Sequence, residues 1–257
     1  MVRGLNGKVA VVVGGAGGIG SATCVRLAQE GCAVVVGDLD GDAADEVADR
    51  IRGFGGRALA RKTDVGEEEQ VRDLVGEAVA SFGGLDILHA NAADLSAEAI
   101  GRDSDAVDIP LEAFDLSIRA GARGHLLCAR HAIPALLERG GGALVFTSSG
   151  ASLTGEAQRP AYAMSKGAIN ALVRHITWRW GKESIRANAV APGLVRTAKN
   201  FAYLQSEDTL APILATIRSP RVGEPDDIAA MVAFLASDDG EWITGQVIAV
   251  DGGSTMR

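Results

Sequence analysis

Lys8-Val-Ala-Val-Val-Val13 runs without a break into Gly14-Gly-Ala-Gly-Gly-Ile-Gly20, and a helical pattern follows as far as Glu30. A short, wholly apolar run suits a parallel strand buried on both faces. Strand, glycine turn and helix in that order make a cradle for a nucleotide phosphate. Gly14 permits the tight turn, Gly18 and Gly20 let backbone approach the ligand, and the helix opening at Ile19 turns its N-terminus to the anion. Ile19, Ala22, Val25 and Leu27 are expected on its apolar side. A glycine-rich turn can also be a plain loop; its position between strand and helix favours the cradle.

Outward from this point the alternation repeats. Ala33-Val-Val-Val-Gly37 ends at Asp38, twenty positions past Gly18. A carboxylate there suits hydrogen bonds to the hydroxyls of an adenosine ribose and repels a 2′-phosphate. Asp38 and the adjoining Leu39 have no flanking Arg or Lys, so NAD(H) is favoured over NADP(H). The plainer alternative is that Asp38 caps the next helix. That helix spans Gly41 to Arg52, a third strand runs from Arg57 to Thr63, and Asp64-Val65 closes it. A helix from Glu67 to Phe82 buries Val71, Leu74, Val75, Ala78 and Val79, and a fourth strand, Asp86 to Ala90, leads into Asn91-Ala-Ala93. Four strand–helix alternations point to an α/β, doubly wound parallel sheet. His89 reads as a packed side chain.

Further on, the polar stretch 94–110 carries Asp103, Asp105 and Asp108 and reads as an irregular, solvated loop. One long helix is expected from Leu111 to Glu138, then a fifth strand ending at Ser148-Ser149. A helix from Arg159 or Pro160 to Trp180 comes next, then a sixth strand from Ser184 to Val190, broken by Pro192-Gly193. Residues 197–221 have the weak pattern of a cover over a pocket. A helix from Pro225 to Ala236 and a strand over Gln246–Val250 bring the strand count to about seven.

The 257 residues suit one domain rather than two, and 47% hydrophobic content is ample for its core. A net charge of −8 argues against nucleic acid or an anionic membrane as main partner. Cys24, Cys32 and Cys128 are odd in number and lack a CxxC pair, so neither a disulfide framework nor a metal site is expected. No signal peptide and no membrane-length apolar run is read, so a cytoplasmic protein is expected. Trp178 and Trp180 read as core or subunit packing.

The chemistry is read from Ser149 to Lys166. Tyr162 and Lys166 are four residues apart and share a helix face. A phenol beside a fixed ammonium ionises more easily than alone and can act as acid or base near neutral pH. Ser149, at a strand end, can donate a hydrogen bond to an oxygen on which charge develops. Tyr-x-x-x-Lys alone also fits an ordinary solvated helix face.

Taken together, these motifs resemble the short-chain dehydrogenase/reductase family over almost the whole chain, which implies a Rossmann-type sheet with helices on both faces. Gly14, Gly18, Ile19 and Gly20 look like its cofactor turn, and Asp64-Val65 like its adenine-contacting pair. Asn188-Ala-Val-Ala-Pro-Gly193 with Thr197 looks like the segment on the nicotinamide side. The resemblance implies Ser149, Tyr162 and Lys166 as the catalytic set, with Tyr162 and Lys166 also touching cofactor. It implies further cofactor contacts at Asn91, Ala92, Pro192, Gly193 and Val195, hydride transfer between a secondary alcohol and a ketone, and a homotetramer or homodimer built on the long helices. His125, Ala151, Leu153 and Glu156 are candidate pocket residues.

Three positions depart from the family. Val13 replaces a threonine, and Ala90-Asn91-Ala92-Ala93 replaces Asn-Asn-Ala-Gly. Gly121 stands where the long helix usually carries an asparagine of the catalytic set. Glycine there offers only a backbone carbonyl and invites a kink. The alternative is therefore a dinucleotide-binding module with weak or no redox activity.

Overall fold

The computed structural model describes residues 2–198 and 206–256. Seven parallel strands form one sheet in the order β3-β2-β1-β4-β5-β6-β7. They are β1 (Val9–Val13), β2 (Ala33–Asp38), β3 (Arg57–Lys62), β4 (Ile87–Ala90), β5 (Gly142–Thr147), β6 (Ile185–Pro192) and β7 (Val247–Val250). The helices are α1 (Gly18–Gln29), α2 (Gly41–Gly53), α3 (Glu68–Phe82), α4 (Leu111–Ile118), α5 (Gly124–Glu138), α6 (Pro160–Trp180), α7 (Glu207–Thr216) and α8 (Pro225–Ala236).

Side chains alternate along a strand, so the apolar run of β1 serves two cores at once. Val9, Val11 and Val13 pack with residues of α3, α5 and α6; Ala10 and Val12 pack with those of α1 and α2. α8 closes a third cluster over Val145 and Val190. The order of strands reverses between β1 and β4, which opens a crevice at their C-terminal ends. Gly14, Asp38, Asn91, Ser148 and Gly193 all follow or end strands on that edge.

Five expectations are corrected, in whole or in part. Of the predicted stripe on α1, Leu27 is buried and Ile19 and Val25 are partly buried against the core, but the fully buried face also takes in Gly20, Thr23, Cys24 and Ala28, because the helix wedges between the sheet and α8. Val79 is partly exposed at the outer edge of α3. β6 continues through Pro192, which pairs with Val250 of the edge strand β7, where its missing N–H does not interrupt the ladder. Of the two readings for the tryptophans, core or subunit packing, the core is ruled out for Trp178, which is 93% exposed, whereas Trp180 packs against the core and, edge-on, against His175. The long helix is not continuous: Arg119–Arg123 form a π-helical turn between α4 and α5.

Cys24, Cys32 and Cys128 are free and buried, and burial pushes the Cys32 and Cys128 thiols up to about 12. Among the described residues no helix is long and apolar enough to cross a membrane.

Candidate active site

The glycine turn is shaped by what a side chain would strike. Gly14 has φ +76°, and a Cβ on it would lie 2.8 Å from the Ala92 backbone. A Cβ on Gly20 would collide with the Gly14 carbonyl, and one on Gly18 would stand 2.7 Å from the Thr197 methyl. The turn is thus pressed between the segment after β4 and the segment after β6. Gly17, the N-cap of α1, has no side chain to satisfy the first-turn amides, which leaves them for an anion.

Asp38 does not cap α2; Asp40 does, accepting from the Ala43 amide. One Asp38 oxygen accepts from Ala16 N–H at 2.9 Å and the other from Asp40 N–H at 3.1 Å. The carboxylate is therefore fixed beside the glycine turn, with Leu39 exposed next to it. Asp64 is gripped by both terminal nitrogens of Arg119, at 3.2 and 2.9 Å, and Arg119 also reaches Glu67. Desolvation opposes the charge on Asp64, but Arg119 and the Gly66 amide outweigh it and hold the carboxyl below its usual range. Val65 is buried against Gly124. Arg119 carried no signal in the sequence, since an arginine on a helix is ordinarily solvated.

Asn91 locks β4 to the glycine turn, donating to the Gly14 carbonyl at 2.9 Å and accepting from the Thr147 hydroxyl at 2.9 Å. With that proton given to Asn91, Thr147 Oγ1 accepts from His89 Nε2, so the ring is the neutral Nε2–H tautomer. Burial drives the His89 pKa down to about 3, in keeping with a packed, uncharged ring. His125 is equally buried, with Nε2 on the Ala90 carbonyl, so it does not line a pocket as expected.

Ser149 follows β5 in extended conformation, and its hydroxyl is close enough to the Tyr162 phenol to favour the ionised form. Lys166, 1% exposed, donates to the Thr147 carbonyl at 2.8 Å, and its Nζ lies 5.7 Å from the Tyr162 ring centre. Burial lowers the Lys166 pKa to about 8. Burial also raises the phenol pKa; the Ser149 hydroxyl and the Arg159 charge oppose this without reversing it. The expectation that Lys166 holds the phenol down is thereby corrected, because its ammonium is turned to a strand carbonyl. Pro192 and Gly193 end β6, where a Cβ on Gly193 would meet Asp251 Cα at 2.8 Å, and Val195 bridges to Gly223.

A further correction concerns the acidic loop. Asp103 is 4% exposed and accepts from the amides of Ala161 and Tyr162, at 3.1 and 2.8 Å. Sequence reading missed it because the helix it serves starts more than fifty residues later.

A family model described as Enoyl-(Acyl carrier protein) reductase matches residues 14–255. A probable short-chain type dehydrogenase/reductase of Bradyrhizobium diazoefficiens is 43% identical, covering 96% of this chain and 87% of its own. The chain belongs to the short-chain dehydrogenase/reductase family. Within that family it is 38% identical to the cis-4-hydroxycyclohexanecarboxylate dehydrogenase of Sinomonas cyclohexanicum, over 96% of each chain. The solved structure of a 7α-hydroxysteroid dehydrogenase with NADH and 7-oxo glycochenodeoxycholic acid superposes with a TM-score of 0.90 at 30% identity, covering 99% of this chain and 96% of that one. The chain is thus an oxidoreductase of this family, with a nicotinamide dinucleotide as cofactor and a small molecule as substrate. The side-chain-free glycine turn and the uncapped start of α1 fit the pyrophosphate of such a cofactor.

Proposed function

We propose that the protein interconverts a secondary alcohol on a carbocyclic ring and the corresponding ketone, with NAD(H) as cofactor. The observation that carries this reading is the gathering of Ser149, Tyr162 and a buried Lys166 at the strand-end edge that also carries the glycine turn. The ring is suggested by the hydroxycyclohexanecarboxylate and hydroxysteroid dehydrogenases among its relatives. A bound nicotinamide supplies the hydride acceptor or donor. Tyr162 exchanges a proton with the substrate oxygen and Ser149 donates a hydrogen bond to it as charge develops. Gly14, Gly18, Ile19 and Gly20 hold the pyrophosphate. Asp38 and Leu39 meet the adenosine ribose, and Asp64, Val65, Asn91 and Ala92 border the adenine and ribose. Lys166, Pro192, Gly193, Val195 and Thr197 serve the nicotinamide side. Residues 197–221, of which 199–205 lie outside the described residues, would cover the substrate with α7, completing a single catalytic domain.

The preference for NAD(H) follows from Asp38. Its carboxylate is held by two backbone amides and would face a 2′-phosphate like charge to like charge. Even in water such a pair repels by about 1 kcal/mol at 4 Å, and less solvent makes it worse. Calorimetric titration should give NADH binding roughly tenfold or more tighter than NADPH, with the gap narrowed in Asp38→Ala. Tighter binding of NADPH by the wild type would overturn the assignment. Turnover of cyclohexanol and its substituted relatives with NAD⁺, against open-chain alcohols, tests the substrate class.

Assembly as a homotetramer or homodimer is part of the same proposal. Met164, Ala171 and Trp178 recur every seven residues along α6 and are all exposed, with Leu126 exposed on α5. Aromatic and methionine side chains in such a stripe favour a subunit contact. Light scattering should show an oligomer for the wild type and a smaller species for Trp178→Glu; an unchanged mass would remove this face from the interface.

A further inference from the structure

We propose that Asp103 is a positioning residue for Tyr162, so that the segment between β4 and α4 sets the place of the reacting phenol. The inference rests on the reading of Tyr162 as acid and base, and extends it to a residue far away in sequence.

The start of α6 has no cap of its own. Arg159, at the N-cap, makes no side-chain bond to the helix and pairs instead with Glu156 at 2.7 Å. Pro160 follows and has no N–H to offer. The next two amides, those of Ala161 and Tyr162, both end on the Asp103 carboxylate, one on each oxygen. The exchange continues through the backbone: Arg159 N–H is shared between the carbonyls of Asp103 and Ser104, at 3.1 and 2.9 Å. Arg159 itself is held at φ 67°, a left-handed conformation that residues other than glycine seldom adopt. All three backbone donors at the head of the helix are therefore bound to residues 103 and 104.

The consequence is specific to Tyr162. An acidic group at a helix N-terminus is favourable anywhere, but here one oxygen takes the amide of the tyrosine itself. Ser165 Oγ donates to the Tyr162 carbonyl at 2.8 Å, so the peptide groups on both sides of this residue are pinned. Asp103 is almost wholly buried, and Ala99, just ahead of it, is buried too, so these two side chains anchor an otherwise largely exposed segment at the head of α6. Removing it frees one buried and one partly buried amide and lets the first turn of α6 fray or shift. Misplacement of an acid/base group by about 1 Å costs on the order of 100-fold in rate.

The test compares Asp103→Ala, Asp103→Asn and Tyr162→Phe with wild type, using cyclohexanol and NAD⁺, and expresses turnover per NADH-binding site counted by calorimetry. Counting sites removes any loss due to unfolded protein. Asp103→Ala should lower kcat per site by about tenfold or more, leaving KM and the NADH Kd within about twofold. Asp103→Asn keeps one acceptor and turns its NH₂ towards an amide, so its loss should be smaller but distinct, and it carries the test if the alanine variant does not fold. A kcat per site equal to wild type in Asp103→Asn and, where it folds, Asp103→Ala overturns the proposal. So does a loss of turnover matched by loss of NADH binding. Full turnover in Tyr162→Phe would instead sink the reading of the site beneath it.

Discussion

Tyr162→Phe should bind NADH as the wild type does and turn over its alcohol roughly 10²–10⁴-fold more slowly. The ring is half-buried at the head of α6, and phenylalanine keeps its packing. What disappears is one oxygen, which lies near the Ser149 hydroxyl. The loss should fall on kcat with KM little changed, because that oxygen acts on a proton in flight and adds little to binding the ground state. The direction of the phenol's pKa adds a second signature. Burial raises it, so at neutral pH the group carries its proton, ready to give it to a ketone. Alcohol oxidation needs the deprotonated form and should therefore accelerate as pH rises through the alkaline range. That rise should vanish in Tyr162→Phe; a pH profile identical to wild type would assign the ionisation to another group.

Gly121→Asn, which restores the residue usual in the family, should damage the protein. Gly121 is buried in the π-helical turn, and a Cβ on it would stand 2.6 Å from Ser165 Oγ and 2.7 Å from Ser165 Cβ. Ser165 lies on α6 between Tyr162 and Lys166, so it has no room to yield without moving the helix that carries both. Overpacking of this kind costs typically 1–3 kcal/mol, which for a chain of this size lowers the melting temperature by several degrees. Turnover should drop at least tenfold as the phenol moves out of place. Gain of activity in Gly121→Asn would show that the amide matters more than the close approach of the two helices. The glycine is thus accounted for by packing, and the kink it was expected to permit is the π turn.

Much of the fold was legible because its signals are local. Apolar runs such as Val9–Val13 and glycines after them need only a few neighbours to be read, and Asp38 was placed by its distance from Gly18. What the sequence hid depends on partners far along the chain. Asp103 looked like solvated polar filler because the amides it serves begin at residue 161. Arg119 drew no attention in the sequence because its partner, Asp64, lies 55 positions before it. The stripe on α1 was legible only in part, through Leu27, because a helix packed on two sides has no single apolar face. Lys166 was assigned to the phenol from the shared helix face and the family resemblance, while a strand carbonyl competes for the same ammonium.

The place of β1 between β2 and β4 has a consequence for how the protein is made. The Gly14 carbonyl is taken by Asn91, 77 residues away, and Asn91 N–H returns to Val13. A ribosome needs roughly 4–15 seconds to add that much chain. Until then the first three strands have an uncovered inner edge, and the glycine turn lacks the neighbour that seats it. Closing such a span also carries a loop-entropy cost that local pairs do not. Cofactor binding is therefore a property the nascent chain acquires late, after the strand that first shows its glycines has long left the exit tunnel.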